Sequence, residues 1–220
     1  MPHNFVDILH LLAHLDDHLV ALSQQYGYAS DLILFLIIFS ETGLVIAPLL
    51  PGDSLLFVAG AVAAGNALTP GPFNLPLLWV VLSAGAFLGN QLNFQIGRWI
   101  GPKVFHWERS VLFNPRHLAE AHAFYEHHGG KTIVLARFVP IVRTYAPFVA
   151  GVGDMAHGRF AFFNAIGAIT WVGALLLAGH WFGNVPFVKG HLTEMILGIV
   201  VLTLIPIGVA TLRHTLRRSS

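Results

Sequence analysis

Two apolar stretches, residues 32 to 66 and 132 to 153, are each interrupted by prolines, and each holds two charges of one sign. Glu41 and Asp53 flank the break at Pro48, Pro51 and Gly52, while Arg137 and Arg143 flank the break at Pro140. They are the only charges between residues 32 and 97 or between 132 and 153. A charge at the centre of a transmembrane helix costs ~2.5 to 3.5 kcal/mol on insertion scales, so four isolated ones would cost on the order of 10 kcal/mol. Two carboxylates facing two guanidinium groups would offset that cost.

That reading requires lipid around the chain, and composition supplies the case for it. Apolar residues make up 55% and charged ones 10% of the 220, against about 25% charged in soluble domains, and mean hydropathy is +0.68. Twenty-two Gly suit helices packed closely through small residues. The formal net charge of +1 gives no field to attract nucleic acid, and the absence of Cys excludes disulfides and thiolate chemistry. The amino terminus has no basic n-region ahead of an apolar core, so no removable signal peptide is expected.

The pattern gives one membrane domain over 1–220. Residues 5–22 place Phe5, Ile8, Leu9, Leu12, Leu15, Leu19 and Leu22 at helical spacing, an amphipathic interfacial helix. Residues 32–66 form the first broken hairpin, either re-entrant or crossing twice. Residues 77–97, 160–182 and 195–212 read as uninterrupted spans, each near the ~20 residues a bilayer needs. The polar segment 98–131 holds Arg98, Lys103, Arg109, Arg116 and Lys131, and the tail holds Arg213, Arg217 and Arg218. The positive-inside rule places both in the cytoplasm. Counting crossings back from a cytoplasmic carboxyl terminus, residues 132–153 start and finish on one side. They are too short for two spans, so they dip and return as a re-entrant hairpin bent near Pro140.

A short repeat runs through this map. Phe57-Val58-Ala59-Gly60 recurs as Phe148-Val149-Ala150-Gly151, and Gly97-Arg98-Trp99-Ile100-Gly101 resembles Gly179-His180-Trp181-Phe182-Gly183. The halves match in order and enter from opposite faces, the inverted-repeat plan of many secondary transporters. The expected fold is therefore all-α: two inverted repeats, each a re-entrant hairpin plus a transmembrane helix, with an added carboxyl-terminal span.

Residue chemistry then suggests roles. Arginine forks bind phosphate oxygens bidentately and stay charged, whereas a desolvated Glu or Asp titrates near neutral pH. A proton-coupled carrier of an anionic substrate follows, with Arg137 and Arg143 holding phosphate and Glu41 and Asp53 coupling protons or other small cations. Fixed ion pairs that merely lock the hairpins are the structural alternative. Asn90, Gln91, Asn93 and Gln95 crowd the end of the third segment; Asn90 and Asn93, with Pro51 and Pro140 at the breaks, are candidates to line a pathway. His117, His122, His127 and His128 lack a metal-site spacing and no Cys assists them, so no metal or cofactor is expected. Neither Gly-x-Ser-x-Gly nor a phosphate-cradling Gly-x-x-x-x-Gly-Lys-Ser/Thr is present, and catalysis is not indicated.

At Glu41-Thr42-Gly43, Pro51-Gly52-Asp53-Ser54, Gly129-Gly130-Lys131 and Ala136-Arg137-Phe138-Val139-Pro140-Ile141-Val142-Arg143 the chain resembles the bacterial DedA family of inner-membrane proteins, of the VTT or SNARE-associated type. The likeness extends over residues 5 to 215. It implies two opposed re-entrant hairpins and a role in moving polyprenyl phosphate carriers, chiefly undecaprenyl phosphate, across the membrane. Dependence on proton motive force, envelope integrity and resistance to cationic peptides belong to the same implication. The family's acidic pair carries onto Glu41 and Asp53 and its basic pair onto Arg137 and Arg143. Many members have Gly-Asp, then Tyr, before Gly-Arg; here Asn90 follows Gly89 and the aromatic is Phe94, so an acidic group is missing. A lipid-phosphate flippase is the leading expectation. A small-ion or proton antiporter using the same charges and a non-transporting, envelope-organising protein are its rivals, and each is compatible with a homo-oligomer.

Overall fold

The computed structural model describes residues 15–26, 29–44, 52–65, 71–104, 129–182 and 185. Every regular element among them is a helix: α1 (Leu15–Tyr26), α2 (Ala29–Gly43), α3 (Gly52–Ala64), α4 (Leu75–Val104), α5 (Lys131–Ala136), α6 (Pro140–Val152) and α7 (His157–Phe182). Pro51, the span expected over 195–212, the tail, residues 105–128 of the polar segment with His117, His122, His127 and His128, and residues 5–14 of the amphipathic helix lie outside the described residues.

Two of the helices are long and apolar enough to cross a membrane, over Leu75–Ile100 and His157–Phe182, 26 residues each. The first starts two residues before the expected Leu77. Its start is capped by Asn74, whose Oδ1 accepts a hydrogen bond from the Leu77 amide at 3.1 Å, and Pro76 in the first turn has no amide to leave unsatisfied. At its other end α4 runs past Gly97 through Arg98 to Val104, so the polar segment begins on a helix.

The break in residues 132–153 has a local cause. Arg137, Phe138 and Val139 each donate their amide to the carbonyl three residues back, at 3.3, 3.1 and 3.1 Å, tightening the end of α5. Val139 then becomes extended, with φ −113° and ψ 108°, as the residue before a proline must. Pro140 opens α6 at its first position. Gly129, ahead of α5, has φ +66°, a left-handed conformation that glycine adopts without steric cost.

The chain separates into two compact units. The first comprises residues up to Asp31, Pro51–Leu78 and the stretch from Ala174. In it α1 packs on α3, and α3 is buried along almost its whole length, from Ser54 through Ala61. Gly60 lies against the backbone of Leu176, and Gly179 against the carbonyl of Phe57 and the amide of Ala61, with no room for a Cβ at either position. Small residues let helix backbones touch in this way where water supplies no driving force for packing.

The second unit comprises Leu32–Leu50 and Trp79–Gly173. Its core gathers Phe94, Ile133, Ala150, Met155 and Phe160, with the Phe94 and Phe160 rings stacked at 4.1 Å between centroids. Here Gly151 lies against the carbonyl of Phe94 and the amide of Arg98, and Gly97 against the carbonyl of Phe148. Trp79 Nε1 donates to the Ile169 carbonyl at 3.0 Å, pinning α4 to α7. Trp79→Phe keeps the ring but loses this bond, and is expected to cost about 0.5–1.5 kcal/mol, read as a lower denaturation midpoint in detergent; an unchanged midpoint would show that the bond adds nothing.

Candidate functional site

Three of the four isolated charges come together in the second unit. Glu41 sits in the last turn of α2 and is 2% exposed; Arg137 follows α5 and is 3% exposed. Arg143 stands one turn into α6, where its amide bonds the Val139 carbonyl at 2.9 Å. The break between α5 and α6 therefore brings two arginines, six positions apart in sequence, to one place. Arg143 Nη2 donates to Glu41 Oε1 in an ion pair whose side chains are 10% and 1% exposed. Asp53, the fourth charge, lies in the first turn of α3 in the first unit.

Arg137 is held differently. Its Nη2 donates to the Ala86 carbonyl at 3.1 Å and to Asn164 Oδ1 at 2.6 Å, and Asn164 passes its own Nδ2 to the Phe87 carbonyl at 3.0 Å. Arg137 Nε is buried with no hydrogen-bond partner. Among the described residues Arg137 makes no ion pair. The Trp171 ring faces both guanidinium groups, 6.0 Å from Arg137 and 5.1 Å from Arg143, within reach of a cation–π attraction that grows as water is removed.

Glu41, Thr42, Asn90, Arg137, Arg143, Thr144 and Trp171 line a cavity of about 10 Å3, room for roughly one water molecule. Its lining carries two guanidinium groups and one carboxylate. Asn90 belongs to this lining, whereas Asn93 is a brace: its Nδ2 donates to the Thr42 carbonyl at 3.3 Å and the Thr144 carbonyl at 2.9 Å, tying the ends of α2 and α6 to α4. Pro140 starts α6. No group of three or more His, Asp or Glu among the described residues could hold a metal ion.

Sequence reasoning assigned no role to Trp171, Asn164, Thr42 or Thr144. Signals existed for two of them. Asn164 is a lone amide within the apolar run of α7, and Trp171 lies mid-helix, away from the helix ends where tryptophan serves as an interface anchor. Trp99 and Trp181, which stand near the ends of α4 and α7, are 63% and 66% exposed.

Long apolar helices, buried charges on interrupted backbone and close glycine packing define an all-helical membrane protein. The VTT domain family matches residues 50–181, and the chain belongs to this family, as its motifs led us to expect. It is 47% identical over 207 residues to Protein DedA of Escherichia coli (strain K12), covering 94% of this chain and 93% of that protein. It is 44% identical over 174 residues to an uncharacterized membrane protein of Mycobacterium leprae, covering 79% and 76%. Identity to the inner membrane protein YghB of Escherichia coli (strain K12) is 33% over 181 residues, covering 81% and 78%. No solved structure matches the chain. The family match takes in Arg137, Arg143, Asn164 and Trp171 but begins after Glu41.

Proposed function

We propose that this protein is a transporter that moves a polyprenyl phosphate carrier, undecaprenyl phosphate, across the bacterial inner membrane. The observation that carries the reading is a buried cavity lined by two guanidinium groups against one carboxylate. A phosphate monoester approaches a charge of −2 near neutral pH, the complement of two arginines. Phosphate displaces Glu41 from Arg143, and Glu41, desolvated and released, takes up a proton. The loaded site is then close to neutral, which lowers the cost of carrying it through the bilayer. Because the cavity has room for about one water, the head group enters only when the Arg143–Glu41 pair opens. Asp53 is the second proton carrier in this scheme.

The architecture in this reading is two inverted repeats built on re-entrant hairpins, with a cytoplasmic carboxyl terminus. Equivalent glycine contacts support it: Gly60 and Gly179 in one unit mirror Gly151 and Gly97 in the other. The test is flipping of labelled undecaprenyl phosphate in liposomes, with and without a pH gradient. Arg143→Ala is expected to fall to the protein-free rate. Arg137→Lys, which lacks a planar fork, is expected to slow flipping at least about tenfold. Equal rates for wild type and Arg143→Ala would remove the site assignment; gradient dissipation without lipid movement would favour small-ion antiport.

A further inference from the structure

A second cavity lies in the same unit, between α4 and α7. Trp79, Val80, Ser83, Ala84, Phe87 and Ala168 are among its lining, and its volume is about 400 Å3. The lining is apolar, and the groove opens outward past Val80, 69% exposed, and Ile169, 51% exposed. Trp79 in the lining has its indole fixed on the Ile169 carbonyl and seated over Gly173, where a Cβ would strike the ring. Ser83 in its wall is 7% exposed, and its hydroxyl has no hydrogen-bond partner. A helical serine ordinarily bonds a carbonyl one turn back; this hydroxyl is buried within the wall, and the surface the groove presents is apolar.

The groove and the charged cavity are linked through the backbone and side chains that hold Arg137. Phe87 lines the groove, and its carbonyl accepts from Asn164, whose other amide atom accepts from Arg137. The carbonyl of the neighbouring Ala86 accepts from the same guanidinium. On α7, Gly167 lies against the Arg137 side chain, while the adjacent Ala168 lines the groove. An apolar trough thus runs beside a buried site whose lining has one more positive than negative group. That pairing is complementary to one kind of molecule, an amphiphile with an anionic head and a long hydrocarbon chain.

We propose that the groove between α4 and α7 binds the head-proximal part of the hydrocarbon chain of an anionic lipid while its phosphate occupies the Arg137–Arg143 cavity. The proposal rests on the transport reading for its head group and adds a chain-binding subsite. Burial of methylene groups in the groove contributes little over the bilayer itself, so the groove acts by orientation. A seated chain aims its head at Arg137 through the Asn164 seam, and chains too bulky near the head are excluded by Trp79 and Phe87.

Photolabelling of the full-length protein in vesicles tests this. One probe is a phosphate monoester of a long alkyl chain bearing a diazirine a few carbons from the head; the other is the matching neutral alcohol. The phosphate probe is expected to label groove residues on α4 and α7 at least about tenfold more than the alcohol. Ala84→Phe, and independently Ala165→Phe, fill the groove from positions that are not fully buried and are expected to abolish that excess. Equal labelling by the two probes would make the groove ordinary lipid-facing surface and overturn the subsite. Phosphate-dependent labelling concentrated elsewhere and indifferent to both fillings would overturn it too, leaving the head-group site standing. Phosphate-independent labelling throughout, together with wild-type flipping in Arg143→Ala, would remove both readings.

Discussion

Glu41→Ala is expected to lower stability in detergent by about 3 to 5 kcal/mol, the usual cost of removing one partner from a buried ion pair. The carboxylate side chain is 1% exposed and its partner 10%. Its removal leaves two guanidinium groups near the Trp171 ring with no carboxylate in the cavity lining. Thermal or denaturant midpoints give the magnitude, and the double variant Glu41→Ala with Arg143→Ala gives the coupling. The double variant should recover much of the loss, because it restores the charge balance. A single-variant cost below about 1 kcal/mol would place the pair among solvent-screened ones and remove the energetic basis of the site.

Gly151→Val is expected to have the larger effect on folding. A Cβ at this position would meet the carbonyl oxygen of Phe94 and the amide of Arg98, both backbone atoms of α4 that cannot rotate aside. Helices α4 and α6 would have to separate, opening the core around Phe94, Ala150 and Phe160. Losses above about 4 kcal/mol arise from mechanisms of this kind, so little folded protein should be recovered by size-exclusion chromatography. Gly158→Ala supplies the contrast. Nothing lies within 4 Å of a Cβ there, and the gain in helix propensity is worth up to about 1 kcal/mol. Equal yields of the two variants would contradict the close approach described at Gly151.

Insertion cost alone pointed to Glu41, Asp53, Arg137 and Arg143, because a lone charge in an apolar stretch demands a partner whatever the fold. It could not assign partners. Arg143 pairs with Glu41, while Arg137 is held by an amide and a carbonyl, a distinction set by the turn over residues 137–139. The proline at 140 was legible as a break; the direction in which it aims two side chains was not. Asn164 and Trp171 were assigned no role because neither carries a charge to be compensated. The earlier start of α4 could have been read from Asn74 and Pro76, whose capping roles are local. Equivalent tetrapeptides hinted at similar packing in the two halves, but which helix each would touch is a tertiary fact.

The reciprocal glycine contacts bear on biogenesis. Gly60 is translated early, yet Leu176, the backbone it rests on, emerges only after nearly the whole of the second unit. Until then the newly inserted segment around Phe57–Gly60 has its small-residue stripe uncovered, and closing so long a loop is slow. A ribosome stalled midway would hold a fragment unable to complete its own interior, a natural client for an insertase or a membrane quality-control protease.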